Sequence, residues 1–343
     1  MKVACVTTTI NVPKVLQLYR AYATAGIGTP YGYDVEFFVA GDLKTGPGCA
    51  DFCNSLDNVF YLSSDTQKAL GYRCSEMLGW NTLARRNIAT LEALKFGADI
   101  IVLVDDDNVP MNEFYFNSHV KALTAPHSGI KVTGQNGWFD VGQFLDPIAP
   151  HRGYPHTKYG AVACDPIVGA KVGVNAGICM GDPDISAYFR IANHPTVHRA
   201  SILLDDGVVV DPDTSWTVFN SQNTAFIREL APAMFMMPGV GRYDDIYASL
   251  ICQRVMRERD MHVKFGRPYI FQERNHHDLL KDLRAEIDGM ENIVAFANQL
   301  DLLDLNKMSV IDAVRCIYSS DDILPTKSVQ SAHAFLEDCE KIL

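Results

Sequence analysis

The stretch Asp99 to Val104 reads Asp-Ile-Ile-Val-Leu-Val, and three aspartates, Asp105, Asp106 and Asp107, follow it directly. An unbroken apolar run with no polar alternation suits a strand covered on both faces, the usual condition at the centre of a parallel sheet. A helix precedes it. Ala84, Ile88, Leu91 and Leu94 form a stripe within Asn81 to Phe96, and Gly97 stands where a left-handed cap closes a helix. Upstream, Lys2 to Thr9, Asp34 to Ala40 and Val59 to Leu62 read as strands. Val15 to Tyr22 reads as a helix opened by Asn11 and Pro13. This β-α-β-α-β rhythm predicts an α/β fold with a mostly parallel central sheet flanked by helices.

Lys131 to Asn220 is rich in Gly, Pro, Asp and Asn, which predicts short strands and long loops. Regular structure returns with a helix over Asp244 to Arg259 and a strand over His262 to Phe265. From about His277 the pattern is helical: Leu279 to Leu300, then stretches from Ser309 and from Ser328. No clean linker intervenes. The expected organisation is a catalytic domain over residues 1–275 with a helical C-terminal extension, residues 276–343, packed on it.

Charge and cysteine usage narrow the function. The formal net charge of -11 repels phosphate backbones and argues against nonspecific nucleic-acid binding as the main role. It does not exclude a diphosphate ligand, because a metal ion can offset that charge. The nine cysteines are scattered, odd in number and without paired CxxC spacing, as expected of reduced thiols in a cytoplasmic protein. No run approaches the ~20 apolar residues of a membrane span, and Met1 to Ile10 is too short an apolar segment for a leader. A soluble cytoplasmic protein is expected.

Five clusters are candidates for chemistry. At the end of a buried strand, Asp105, Asp106 and Asp107 would sit in the crevice where open α/β sheets bind ligands. Their mutual repulsion calls for a cation, and hard oxygen donors suit Mg²⁺ or Mn²⁺. This is the DxD reading, with Asp105 and Asp107 facing the site; the alternative is a solvated acidic turn. Gly239 to Asp245 leads a glycine pair into Arg242, Asp244 and Asp245 at a helix start. Arg242 suits a phosphate clamp, and Asp244 or Asp245 a sugar contact or general base; the alternative for Asp244 is helix capping. His276 and His277 stand near carboxylates, and as neighbours on a helix at most one would be a metal ligand. Around Gly177, small residues let a ligand approach the backbone, and Asp182 and Asp184 flank a proline turn. Arg85 and Arg86 lie on the helix before the acidic triplet, where one pointing inward would balance a diphosphate and the other would face solvent.

Several segments together resemble the reversibly glycosylated polypeptides of plants, or UDP-arabinopyranose mutases, and more distantly other nucleotide-diphospho-sugar transferases. The matching pieces are Ile100 to Asn108, Arg152 to Pro155 (RGYP), Asn223 to Asp245 ending in GRYDD, and Gly266 to Phe271 (GRPYIF). Asn175 to Ala187 is a looser match. The resemblance implies a GT-A fold, a UDP-linked sugar as ligand and a divalent metal held at Asp105 to Asp107. It also implies that Thr7, Thr8 and Thr9 contact the nucleotide. In that family an arginine four residues after the Gly-Tyr-Pro proline becomes glycosylated; the matching position here is Tyr159, beside Lys158. The leading expectation is therefore a metal-dependent glycosyltransferase that passes sugar from a UDP-sugar to an unidentified glycan, protein or modified nucleobase. The alternatives are a mutase interconverting pyranose and furanose forms of a UDP-sugar, and a non-catalytic sugar-nucleotide-binding protein. A homo-oligomer fits any of these.

Overall fold

A computed structural model describes residues 1–24, 32–273 and 278–343. The predicted N-terminal strands are present: β1 (Lys2–Thr8), β2 (Asp34–Ala40), β3 (Val59–Leu62) and β4 (Ile100–Val104) lie parallel in the order β3-β2-β1-β4. All five residues of β4 are buried, because helices cover both faces of the sheet at its centre. The helix before it runs Arg86–Phe96 and is entered through a short 3-10 turn at Leu83–Arg85. Gly97 closes it at φ 86°.

Beyond β4 the sheet changes character. The strand Asn223–Ile227 joins β4 antiparallel, pairing Asn223 with Val104. Next comes Val162–Gly181, then β6 (His127–Gly134), Val208–Val210, Met261–Gln272 and finally β5 (Asn108–Pro110). Half of the pairings in this ten-stranded sheet are antiparallel. The mostly parallel sheet read from the sequence therefore describes its N-terminal part, and the whole is mixed. The greatest departure is Val162–Gly181, a 20-residue strand where short strands and loops were expected. Its first half is mostly exposed and pairs with β6; its second half is buried and pairs with Met261–Gln272.

The C-terminal helices Leu279–Asp301, Val310–Ser320 and Thr326–Glu340 share one apolar core with the sheet-flanking elements. Phe296 packs edge-on against Tyr247 at 4.9 Å between ring centres, and Phe335 packs tilted on Phe235 at 5.0 Å. No helix among the described residues is long and apolar enough to cross a membrane, and no disulfide joins cysteines among the described residues.

Candidate active site

The parallel strands all end on one side, and a cleft of about 530 Å³ opens there. Thr8 and Thr9 reach it from the end of β1, Asp42 and Lys44 from the loop after β2, and Asp105 to Asp107 from the end of β4. The antiparallel strand beside β4 begins at the same edge, so Ser221 and Gln222 line the cleft too. The opposite wall consists of Arg152, Asp184, Gly241, Arg242, Asp244 and Asp245, and Gln272 closes the end of its strand.

Each aspartate of the triplet has a different partner. Arg86 donates from Nη2 to Asp105 Oδ1 at 2.7 Å and to the Val104 carbonyl at 3.1 Å. Its Nη1 donates to the Ser221 hydroxyl at 2.7 Å. Burial raises the pKa of Asp105, opposed by Arg86. Asp106 accepts from the Thr9 hydroxyl; burial pushes its pKa up to about 6, with Asp105 and Asp107 adding to the rise and Thr9 opposing it. Asp107 accepts from the Gln272 amide at 3.2 and 3.1 Å. The three carboxylates are thus turned apart, and among the described residues no group of three His, Cys, Asp or Glu converges to hold a metal. His276 and His277 lie outside the described residues.

On the facing wall, Arg152 donates to Asp184 at 2.8 Å and to both oxygens of Asp245 at 3.0 and 3.2 Å, and it also bonds the Arg242 carbonyl. Asp245 further accepts from the Ser221 backbone N–H at 2.9 Å and hydroxyl at 3.1 Å. It is buried and fully engaged. Asp244 faces the cleft, accepting from the Asp245 N–H at 3.0 Å. Burial and the neighbouring Asp245 push its pKa up to about 7, against the opposing pull of Arg152.

Several expected residues stand elsewhere. Arg85 is buried away from the cleft rather than facing solvent: it donates to Gln67 at 2.8 Å and to the Ser75 carbonyl at 2.7 Å, and stacks on Trp80. Consecutive residues at a helix start point about 100° apart, so Arg86 alone reaches the site. Thr7 is buried within β1 and does not line the cleft. Asp182 pairs with Arg190, while Asp184, two residues on, turns inward to Arg152. Gly177 lies inside the sheet. A Cβ there would stand 2.2 Å from Asn223 Nδ2 and 2.5 Å from the Pro268 carbonyl oxygen. Gly177→Ala is expected to cost about 1–3 kcal/mol of stability in urea unfolding through overpacking, with ligand affinity of the folded protein unchanged. Tyr159 is 43% exposed, packs on Tyr154 and does not line the cleft.

Asp42, Arg152, Ser221, Gln222 and Gln272 were not singled out as site residues from the sequence, and Asp184 was named only as flanking a proline turn. Arg152 carried a signal, the RGYP motif. Ser221 and Gln222 carried none, since only the pairing with β4 of the strand that follows them, Asn223–Ile227, brings them in.

The profile of the reversibly glycosylated polypeptide family matches residues 52–334. UDP-arabinopyranose mutase 1 of Oryza sativa subsp. japonica is 25% identical over 290 residues, 80% of this chain and 67% of that protein. UDP-arabinopyranose mutase 2 of Arabidopsis thaliana is 25% identical over 287 residues, 79% of this chain and 67% of that protein. The chain thus spans about two thirds of the length of these relatives. Among solved structures, S. aureus TarS 1-349 in complex with UDP-GlcNAc superposes with a TM-score of 0.47 at 11% identity, covering 100% of this chain and 90% of that one. The chain belongs to the reversibly glycosylated polypeptide family.

Proposed function

We propose that this chain is a metal-dependent enzyme of GT-A type that holds a UDP-sugar in the cleft and transfers the sugar to an acceptor. The observation that carries this reading is the charge of the cleft. Seven carboxylates line it against four cationic side chains, and its three arginines are already paired with carboxylates. A diphosphate brought there meets a surplus of negative charge, so its binding requires a cation.

Asp107 is the triplet member that suits a divalent ion. Its partner among the described residues is the neutral Gln272 amide, whereas Asp105 is committed to Arg86 and Asp106 to Thr9. When bound, Mg²⁺ or Mn²⁺ supplies charge neutralisation of the leaving diphosphate. Arg86 orients Asp105 and fixes the loop after β4. Thr8 and Thr9 are placed to contact the nucleotide from the end of β1. Asp244, with a pKa near neutrality, is suited to take the proton of an acceptor hydroxyl.

Asp107→Ala is expected to weaken UDP binding in Mn²⁺ at least about fivefold, the low end of usual couplings between linked ligands, and to abolish the Mn²⁺ dependence of that binding. Calorimetry with and without Mn²⁺ checks it; unchanged affinity overturns the metal assignment.

A mutase is the second reading, favoured by the activity named in the plant relatives. Incubating the protein with UDP-sugars and Mn²⁺ separates the two. Release of UDP that depends on an added acceptor supports transfer. Conversion of the sugar ring without acceptor, with a mass shift on the intact protein, supports the mutase. Tight binding with neither identifies a binding protein.

A further inference from the structure

The C-terminal helix Leu279–Asp301 reaches the cleft wall. Asp282, Glu286 and Gly289 follow at helical spacing and form one stripe, which packs on Gly241–Tyr243. The fit is at backbone distance. A Cβ on Gly289 would stand 2.2 Å from the Tyr243 ring, and one on Gly241, whose φ is +63°, would stand 2.1 Å from the Ala285 carbonyl oxygen. Between these two contacts lies Arg242. Its Nε donates to Glu286 at 3.0 Å, its Nη1 to Asp282 at 3.5 Å and its Nη2 to Asp184 at 3.2 Å.

Glu286 is 1% exposed, and its second oxygen accepts from the Ala187 N–H at 2.8 Å. A buried carboxylate with a backbone donor on one oxygen and a guanidinium on the other has one geometry open to it. From Arg242 the contacts continue without a break. Asp184 accepts from Arg152, Arg152 donates to Asp245, Asp245 accepts from Ser221, and the Ser221 hydroxyl accepts from Arg86, which holds Asp105. A guanidinium has five N–H donors, and these contacts occupy three of Arg242's. Among the described residues nothing takes the other two, on a side chain that lines the cleft.

We infer that Glu286 is a positioning residue for the donor site: it fixes Arg242 so that the remaining guanidinium N–H groups meet the diphosphate oxygens, which makes the C-terminal helix part of the diphosphate-binding wall. This rests on the UDP-sugar reading above. Charge-assisted hydrogen bonds of this kind depend on a fixed planar donor. An Arg242 freed from the helix loses that orientation while keeping its charge.

The test is a double-mutant cycle read by calorimetry of UDP binding in Mn²⁺ with the full-length chain. Glu286→Gln is expected to weaken UDP about fivefold or more, as is Arg242→Gln. The double variant should be no weaker than Arg242→Gln alone, because Glu286 acts through that one side chain. Asp282→Asn, at the half-exposed end of the stripe, should weaken UDP by less and serves if Glu286→Gln does not fold. UDP affinity unchanged in Glu286→Gln, or in Asp282→Asn where that variant stands in, overturns the inference. So does equal weakening by Glu286→Gln with or without Arg242. Absence of UDP binding by the unaltered chain overturns the donor reading itself, and the inference with it.

Discussion

Arg152→Met is expected to destabilise the protein by about 3–5 kcal/mol, the usual cost of removing one partner from a buried ion pair. The arginine side chain is 7% exposed, and the two carboxylates it bridges are nearly as deeply buried, Asp184 at 8% and Asp245 at 4%. Without the guanidinium, both must stay buried with fewer donors or take up a proton. Asp245 keeps the two bonds from Ser221, and Asp184 keeps Arg242 and Asn220, so the protein folds with a deficit rather than not at all. The deficit should be largest at alkaline pH and shrink as the medium becomes acid enough to protonate the stranded carboxylates. Arg152→Lys keeps the charge but not the planar fork that reaches two carboxylates at once, and should lose less. Denaturant unfolding of the three proteins at pH 8 and pH 5 checks all of this. An Arg152→Met protein as stable as the parent at both pH values would show that the network is not a structural brace.

That network explains what the sequence could and could not convey. Asp105 to Asp107 were legible because five consecutive apolar residues before them can hardly be anything but a buried strand, and the end of such a strand is a crevice. The C-terminal helices were legible from their spacing alone. The long strand Val162–Gly181 was not, because its first half is exposed and mixes glycine, proline and aspartate without alternation. The choice of Arg86 over Arg85, or of Asp184 over Asp182, was equally hidden. In each pair the residues sit one or two positions apart, and the partner that decides between them lies far along the chain: Ser221 for Arg86, Arg152 for Asp184. Gln272 was hidden because its strand continues seven residues past Phe265, where the predicted strand ends. Composition and periodicity report a residue's own burial, whereas a site of paired charges is specified by partners that only the folded sheet brings together.

Asp244 and Asp245 show the same division of labour between adjacent positions, and they lead to opposite expectations. Asp245 is spent on Arg152 and Ser221, so Asp245→Asn should cost stability. Asp244 is held at the cleft with a pKa pushed up to about 7 by burial and by Asp245. As the proton acceptor it must be ionised, so turnover should rise as pH increases through about 7. Asp244→Asn should reduce kcat by about 10²–10⁴-fold, the usual contribution of a general base, remove that limb of the pH profile, and leave UDP binding unchanged. The stability effect has the reverse sign. A carboxyl whose pKa is raised on folding favours the folded state while protonated, and that contribution is lost as pH rises through its folded value. Asparagine mimics the protonated form at every pH. Asp244→Asn should therefore melt higher than the parent above pH 7, and the difference should vanish below about pH 4, where the parent is protonated whether folded or unfolded. A variant that is slower and also more thermostable at pH 8 is the signature of a carboxylate kept in a costly place for its chemistry. A variant that is slower but melts lower at pH 8 would instead make Asp244 a structural cap of its helix.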